Sequence, residues 1–185
     1  NMILVMKIKI IKDSNPIMRK RSLPVTLPLS NEDKDILDSM LDHLIKSQDD
    51  EYAKKHNIRP GVGLAAIQLG ILKRMFCVYI GNGKDSVKYQ LVNPKIIETS
   101  IKKAALAGGE GCLSVDKNHD GLVHRYYKIK IKGYDAIRDE EIVITASGYL
   151  AIVLQHEYDH LDGKFYYDHI DIKNPHTPLA GEEII

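Results

Sequence analysis

The chain has 185 residues, a length that suits a single domain with one hydrophobic core. Its 26 Lys and Arg nearly balance its 25 Asp and Glu, and the net charge of +1 excludes a strong global field for nucleic acid or anionic lipid. With 44% hydrophobic and 28% charged residues, the composition is that of a folded protein and excludes extensive disorder.

The short apolar runs and the low number of cysteines limit the cellular locations that the sequence predicts. The longest uninterrupted apolar runs, 75–80 and 149–154, have six residues each, against roughly 20 for a membrane-spanning helix. The apolar start at 2–6 is shorter than the roughly 7–15 residues of a secretory signal. We therefore expect no membrane span and a cytoplasmic location, where Cys77 and Cys112 stay as free thiols.

The first predicted elements are a loop and an amphipathic helix. After a short strand-like start, residues 12–29 contain three prolines and are predicted to form an extended loop. Ser30 and Asp33 mark a helix start. The apolar residues that follow recur at the spacing of one helical face: Ile36, Leu37, Met40, Leu41, Leu44 and Ile45.

The middle of the chain changes to short runs rich in Val, Ile and Tyr. These runs predict strands at 75–80, 89–92 and 127–131, separated by glycines and a proline. In the last run, Ile129 and Ile131 alternate with lysines, so one face is expected to be buried and the other to be solvated.

A final strand and helix complete the predicted order of elements. The strand is expected at 142–145, and a buried helix follows at 149–161 and ends near Gly163. A helix, then a block of strands, then a helix is typical of an α+β fold with antiparallel sheets, in contrast to alternating βαβ units.

The strongest chemical motif is H-E-x-x-H in the last helix, at His156, Glu157 and His160. Residues four apart project from one face of a helix, so both imidazoles can bind one divalent metal ion while Glu157 stands beside its open position as a base. The alternative is two surface histidines on an acidic helix. The apolar turns at 149–154 favour a buried helix, in which two histidines need a partner.

The third metal ligand decides the class of enzyme, because catalytic sites of this kind use three protein ligands and one open position. A metzincin would have a histidine at the position of Tyr166, which excludes that class. A gluzincin would need a downstream glutamate, for which Glu182 and Glu183 are the candidates. His169 is the other downstream possibility, and we interpret it as a satisfied or exposed histidine.

Upstream, Cys112 in the segment E-G-C-L-S is the better candidate for the third ligand. Its thiolate suits Fe²⁺, Zn²⁺ or Ni²⁺, and the neighbouring glycines allow a close approach of the backbone. Cys77 instead lies inside the predicted strand at 75–80 and is interpreted as part of the core.

Residues 61–68, G-V-G-L-A-A-I-Q, form a third segment of interest. They match the dinucleotide-binding pattern G-x-G-x-x-A, but no predicted strand precedes them and no parallel βαβ unit follows, so we reject that reading. What remains is a glycine loop with exposed backbone groups, followed by Gln68 as a hydrogen-bond donor. Taken alone, the segment is also compatible with a purely structural turn.

Together the three segments resemble the motifs of the peptide deformylase family, which have the forms G-φ-G-φ-A-A-x-Q, E-G-C-φ-S and H-E-φ-D-H, where φ is apolar. The chain carries them in the same order, at 61–68, 110–114 and 156–160. The spacing of the first two motifs and Val115 resemble the Gram-positive branch. The resemblance covers roughly residues 24–170.

This resemblance implies a single peptide deformylase domain over 1–185, with antiparallel and mixed sheets packed around a central metal-binding helix and a tail of uncertain order at 171–185. It implies an enzyme that removes the formyl group from the N-terminal formyl-methionine of newly made proteins and releases formate. The implied partners are those N-termini and, transiently, the ribosome. DNA and membranes are not expected as partners, and a monomer is expected.

The resemblance also implies the metal and its ligands. One divalent ion per chain would be held by Cys112, His156 and His160, with water as the fourth ligand. Fe²⁺ is expected as the native ion, and Ni²⁺, Co²⁺ or Zn²⁺ as substitutes. Glu157 would act as the general base and acid of the reaction.

The remaining site residues follow from the same resemblance. Gln68 and the backbone N–H of Leu113 would stabilise the charge that develops on the formyl oxygen. Arg125 resembles a family arginine with a structural part, bracing a glutamate. The residues expected to bind the substrate are Val62, Gly63, Glu110, Gly111, Tyr149, Ile152 and Val153, the last three on the metal-facing side of the helix.

Two other functions compete with this one. A zinc endopeptidase would use the same helix to cleave internal amide bonds, but the upstream cysteine and the lack of a clear downstream ligand oppose it. A catalytically silent relative would bind chain ends or ribosomes without turnover, and the presence of both Glu157 and Gln68 argues against it.

Overall fold

The structure is a computed structural model that describes residues 6–81 and 83–185. The predicted strand-like start falls mostly on residues 1–5, outside the described part. The helices are α1, Asn31–Ser47; α2, Asp50–His56; and α3, Tyr149–His160. The strands are β1, Gly63–Ala65; β2, Met75–Ile80; β3, Val87–Thr99; β4, Lys103–Ala105; β5, Arg125–Tyr126; β6, Lys128–Asp135; β7, Glu140–Ser147; and β8, Glu183–Ile184. Short 3-10 turns lie at Pro16–Arg19, Ala66–Leu69, Gly83–Asp85 and Tyr166–His169.

Two sheets are formed by the described strands. The larger has the order β1-β2-β3-β6-β7, and all of its pairs are antiparallel. The smaller has the order β5-β4-β8, in which β4 and β8 are parallel. This confirms the predicted α+β class. Across 6–81 and 83–185, no helix combines the length and apolar character needed to cross a membrane.

The first helix begins where the sequence predicts it. The backbone N–H of Asp33 donates to Oγ of Ser30 at 3.1 Å, which satisfies one of the free donors of the first turn. A second helix, α2, follows at once and was not predicted, because its seven residues carry little apolar periodicity. Asp49 caps its start by accepting a hydrogen bond from the N–H of Tyr52.

Two local predictions need correction. The segment 12–29 contains a 3-10 turn at Pro16–Arg19, which Asn15 caps by accepting from the N–H of Ile17. Strand β3 extends well beyond the predicted 89–92 and passes through Pro94. Its pairing with β6 shifts register between Val92 and Lys95, and this bulge accommodates a residue that has no N–H to donate.

The glycine segment is also more regular than predicted. Residues Gly63–Ala65 form the edge strand β1, which pairs antiparallel with β2 and places Gly63 opposite Val78. A 3-10 turn then carries Gln68. The glycine loop predicted at 61–68 is therefore wrong in part, because the partner strand that orders it lies more than ten residues further along the chain.

The core lies on both faces of the larger sheet. On one face, α3 packs over alternate residues of β2 such as Phe76 and Val78. On the other face, α1 packs over Met75 and Cys77. Cys77 is fully buried, and its Sγ lies 3.4 Å from the carbonyl oxygen of Leu37, so its predicted place in the core is confirmed.

The last residues of the chain pack against the smaller sheet. The backbone N–H of Ile185 donates to the carbonyl of Ala105 at 2.9 Å, and the N–H of Ala107 donates to the carbonyl of Ile185 at 2.8 Å. Glu182 adds a side-chain contact, with its Oε2 2.6 Å from Nδ1 of His124. These bonds hold the chain from 182 onwards beside the segment that leads to Cys112.

Candidate active site

Three predicted ligands converge at the centre of the fold. Helix α3 carries His156 and His160 one turn apart, and the turn that contains Cys112 approaches that face of the helix. One ligand atom from each of the three residues lies within 4.8 Å of the other two. Sγ of Cys112 is 3.3 Å from Nε2 of His160. One thiolate and two imidazoles form a donor set that suits Fe²⁺, Zn²⁺ and related divalent ions.

A buried ionic chain orients the first histidine. Nδ1 of His156 lies 2.8 Å from Oε1 of Glu110, so the other ring nitrogen is free to face Cys112. Arg125 donates to both oxygens of Glu110, at 2.6 and 2.9 Å, and to Asp159 at 3.0 Å. The predicted bracing of Glu110 by Arg125 is confirmed. A carboxylate behind a histidine ligand is the usual way to fix the ring and its tautomer.

The two histidines differ in their electrostatic surroundings. Burial lowers the pKa of His160 well below its ordinary value, and the neighbouring His156 adds to this effect. Burial would also lower the pKa of His156, but hydrogen bonds with Cys112 and Glu110 outweigh it and raise that pKa well above its ordinary value. Burial would raise the pKa of Glu110, yet His156 and Arg125 hold it below its ordinary value. The surroundings thus favour the protonated form of His156 and the neutral form of His160.

The second histidine shows an orphaned polar atom. Nδ1 of His160 is buried and meets no hydrogen-bond partner within the described residues. With the proton on Nδ1, the lone pair of Nε2 points to the side of Cys112, which is the arrangement that a ligand needs. The residues therefore fit a divalent metal ion.

Glu157 lies beside the three candidate ligands and is shielded from solvent. Its side chain is almost completely buried, and its carboxylate lies against the backbone of β1 at Gly63. A Cβ atom at Gly63 would lie 2.5 Å from Oε2 of Glu157, so only glycine leaves room for the carboxylate there. Burial raises the pKa of Glu157 to about 7. A carboxyl group with that pKa can both accept and donate a proton near neutral pH.

Gln68 points its amide nitrogen at the ligand cluster. Its Oε1 accepts a hydrogen bond from the N–H of Ala65 at 2.9 Å, which fixes the orientation of the amide. Its Nε2 then donates to Oγ of Ser114 at 3.1 Å and lies 3.6 Å from Sγ of Cys112. Leu113, the next residue along the chain from Cys112, lines the cavity described below.

A cavity of about 490 Å³ opens onto this cluster. Its wall includes Cys112, His156 and Glu157, whereas Gln68 and His160 are buried behind it. All of the predicted substrate-binding residues line the cavity: Val62, Gly63, Glu110, Gly111, Tyr149, Ile152 and Val153.

Arg59 and Tyr166 are among the residues of the wall that sequence reasoning missed. Arg59 donates from its guanidinium to the backbone carbonyls of Cys112 and Val115 and so holds the backbone of the turn that contains Cys112. Tyr166 stands with its ring nearly parallel to that of His156, with centroids 6.1 Å apart. Neither residue lies in a motif, so no local pattern could have identified them.

The other candidate ligands lie away from the cluster. Glu182 contacts His124, and Glu183 pairs with Lys102. Nε2 of His169 donates to Oδ2 of Asp159 at 2.7 Å, which confirms its interpretation as a satisfied histidine. A gluzincin ligand set is therefore not formed.

Comparison with known proteins gives consistent matches over nearly the whole chain. The family model described as polypeptide deformylase matches residues 7–176. The peptide deformylase of Staphylococcus epidermidis is 49% identical over 172 residues, which cover 91% of this chain and 93% of that protein. Peptide deformylase 2 of Bacillus subtilis is 45% identical over 167 residues, or 90% of each protein. These relatives confirm the predicted similarity to the Gram-positive branch.

Solved structures agree with this result. A probable peptide deformylase from Synechococcus phage S-SSM7 has a TM-score of 0.73 and 30% identity, and the match covers 89% of this chain and 100% of that one. The peptide deformylase of Thermotoga maritima has a TM-score of 0.69 and 31% identity, with 90% and 99% covered. The residues matched by the family model include the ligand cluster and the whole cavity wall.

Proposed function

The chain belongs to the peptide deformylase family, and from this premise we propose that Cys112, His156 and His160 hold the catalytic metal and that Glu157 is the general base and acid. The enzyme is a hydrolase that removes the formyl group from the N-terminal formyl-methionine of newly synthesised proteins. The observation that supports this assignment of roles is the meeting of one thiolate, two imidazoles and a buried carboxylate at one cavity wall.

When bound by Cys112, His156 and His160, a divalent ion would act as a Lewis acid that polarises the formyl carbonyl and makes water a stronger acid. We infer Fe²⁺ as the native ion from membership of the family, and Ni²⁺, Co²⁺ or Zn²⁺ as substitutes because thiolate and imidazole donors accept all of them. Elemental analysis of protein purified without oxygen checks this choice, and a single dominant metal other than iron would contradict it.

Glu157 moves the proton. It accepts a proton from the attacking water as the oxygen–carbon bond forms, and it delivers that proton to the methionine nitrogen as the carbon–nitrogen bond breaks. Formate and a free amino terminus are the products. Such proton transfer contributes on the order of 10² to 10⁴ in rate. The close fit of the carboxylate against Gly63 keeps it in place for both steps.

Gln68 and Leu113 stabilise the charge that develops on the formyl oxygen. The amide of Gln68 is held by Ala65, so its donor end faces the cluster before substrate arrives. The backbone N–H of Leu113 is the second donor in this proposal. A donor that is already oriented costs no rearrangement in the transition state, and its loss costs roughly 3 kcal/mol.

The apolar part of the cavity binds the methionine side chain. Ile152 and Val153 lie on the turn of α3 before His156, and with Val62 and Tyr149 they line an apolar wall. Glu110 lies in the same wall, with its charge paired to Arg125. An unbranched methionine side chain fits such a wall without requiring a polar partner.

Backbone groups bind the peptide that follows methionine. Strand β1 is at the edge of the larger sheet, so Gly63 can pair with an added strand, and Gly111 lines the same cavity. Recognition through main-chain hydrogen bonds reads no side chains and suits an enzyme that processes many proteins. We further propose that the enzyme works as a monomer in the cytoplasm, with transient ribosome contact, where formylated N-termini emerge. Ribosome co-sedimentation and light scattering test these points.

A formate-release assay tests the function. Metal-loaded protein should release formate from a short formyl-methionyl peptide and leave casein intact. Glu157→Ala should keep the metal and lose turnover, whereas loss of metal would make Glu157 a ligand. Cys112→Ser should weaken or alter metal binding. Casein cleavage without formate release would instead favour an endopeptidase, and unchanged metal content in Cys112→Ser would place the third ligand elsewhere.

A further inference from the structure

A half-buried histidine, His169, is connected to the ligand cluster through a continuous chain of ionic hydrogen bonds. Nε2 of His169 donates to Oδ2 of Asp159 at 2.7 Å, and the same oxygen accepts from Nη1 of Arg125 at 3.0 Å. Arg125 continues to Glu110, and Oε1 of Glu110 meets Nδ1 of His156 at 2.8 Å. Side-chain exposure is 34% at His169, 3% at Arg125 in the middle of the chain and 13% at His156.

We propose that His169 is a positioning residue of the metal centre, which acts through Asp159 and Arg125 to fix the ring of His156. This inference rests on the proposed function, because it assumes that His156 is a ligand. Carboxylates that orient a histidine ligand are themselves held by hydrogen bonds, and loss of such partners typically lowers metal affinity roughly 10- to 100-fold.

The charges explain why Asp159 needs a second donor. Arg125 carries one positive charge and lies between two carboxylates, Glu110 and Asp159. The guanidinium makes two bonds to Glu110 and one to Asp159. A donor from His169 holds the Asp159 oxygen at the point where Arg125 reaches it. Without that donor, Asp159 can turn towards solvent, and Arg125 loses the contact that sets its position relative to Glu110.

The position of His169 is set by its own turn and does not depend on the hydrogen bond to Asp159. It ends the 3-10 turn Tyr166–His169, in which the preceding residue, Asp168, accepts from the N–H of Phe165 at 2.9 Å. Asp168 is also bound by two guanidinium nitrogens of Arg19, at 2.6 and 3.1 Å. This turn stands next to α3 in space, so His169 reaches the helix from a separate, anchored element.

The test uses two variants that distinguish the hydrogen-bond donor of His169 from the size of its ring. His169→Phe keeps a ring of similar size and removes the donor, whereas His169→Gln keeps a donor near the position of Nε2. The matched control is His176→Phe, since His176 is 64% exposed and its ion pair with Asp120 does not connect to the metal ligands. Each purified variant is loaded with Co²⁺, and metal affinity is measured by competition with a chelator, beside the visible absorption spectrum.

The expected result is that His169→Phe binds Co²⁺ roughly tenfold more weakly, with an altered absorption spectrum, because the orientation of one ligand is less well held. His169→Gln and His176→Phe should resemble the wild type in both. Unchanged affinity and spectrum in His169→Phe would overturn the proposal, as would an equal loss in His176→Phe. If a lower melting temperature were the only change in His169→Phe, His169 would have a purely structural role. If Cys112→Ser also leaves metal affinity unchanged, the assigned metal centre is what has failed.

Discussion

Substitution of Gly63 by alanine tests the placement of the catalytic carboxylate most directly. The three atoms nearest to a Cβ at this position all belong to Glu157, at 2.5, 2.6 and 2.7 Å. Because non-bonded heavy atoms prefer roughly 3.5 Å or more, the carboxylate must move by about 1 Å. A displacement of that size at a reacting group can cost about 10²-fold in rate. We therefore expect Gly63→Ala to lower kcat by about 10²-fold.

Steady-state formate release by metal-loaded enzyme measures this effect. A displaced base lowers kcat with little change in KM, whereas lost backbone pairing with the peptide would mainly raise KM. Metal content should stay at the wild-type level, because the new methyl group meets Glu157 first. Gly108→Ala is the matched control, since a Cβ there has no neighbour within 4 Å. Unchanged kcat in Gly63→Ala, or an equal loss in Gly108→Ala, would refute the reasoning.

Three further substitutions test other parts of the structure. Gln68→Ala should retain the metal but lower kcat by about 10² to 10³, because one donor to the formyl oxygen is lost. Arg125→Met should lower the free energy of unfolding by about 3–5 kcal/mol, since it leaves the buried carboxylate of Glu110 without its guanidinium partner. Gly163→Ala should lower it by about 1–3 kcal/mol or more, because Gly163 has φ +71° and its Cβ would clash with the carbonyl of Arg19.

Each of these has its own check. Formate assays with metal analysis separate the loss of a donor in Gln68→Ala from loss of the ion. For Arg125, the control is Arg21→Met, an arginine that is 79% exposed and only loosely paired, and denaturant unfolding should show little change in it. For Gly163, the control is Gly181→Ala, which shares the positive φ but meets nothing within 4 Å. If Gly181→Ala were as destabilising as Gly163→Ala, the clash with the carbonyl of Arg19 would add nothing to the effect of the positive φ.

Much of the local structure was predictable because it depends on neighbours in the chain. The start of α1 at Ser30 follows from a side-chain cap, and β2 was predicted over its full range, 75–80. The buried α3 and the placement of two histidines on one face follow from the helical repeat alone. The three motifs by themselves indicate the family.

Other features depend on partners that no local pattern reveals. The edge strand at 63–65 is ordered by β2, and Pro94 remains within β3 because the register with β6 shifts beside it. Arg59 and His169 contribute through contacts made across the fold, Arg59 to the backbone carbonyls of Cys112 and Val115 and His169 to Asp159. Residues of this kind carry no periodicity or motif that a sequence can display.

The chain alone determined which chemical groups are available and that His156, Glu157 and His160 share one helix, since a spacing of one turn is a local property of the backbone. Only the tertiary structure decided that Sγ of Cys112, 48 residues before His160, lies 3.3 Å from Nε2 of His160. It also decided that the carboxylate of Glu157 is buried and lies against the backbone of Gly63. The reason is physical: distances within a helix are set by its repeat, whereas the approach of distant segments is set by how the sheets and helices bury their apolar faces.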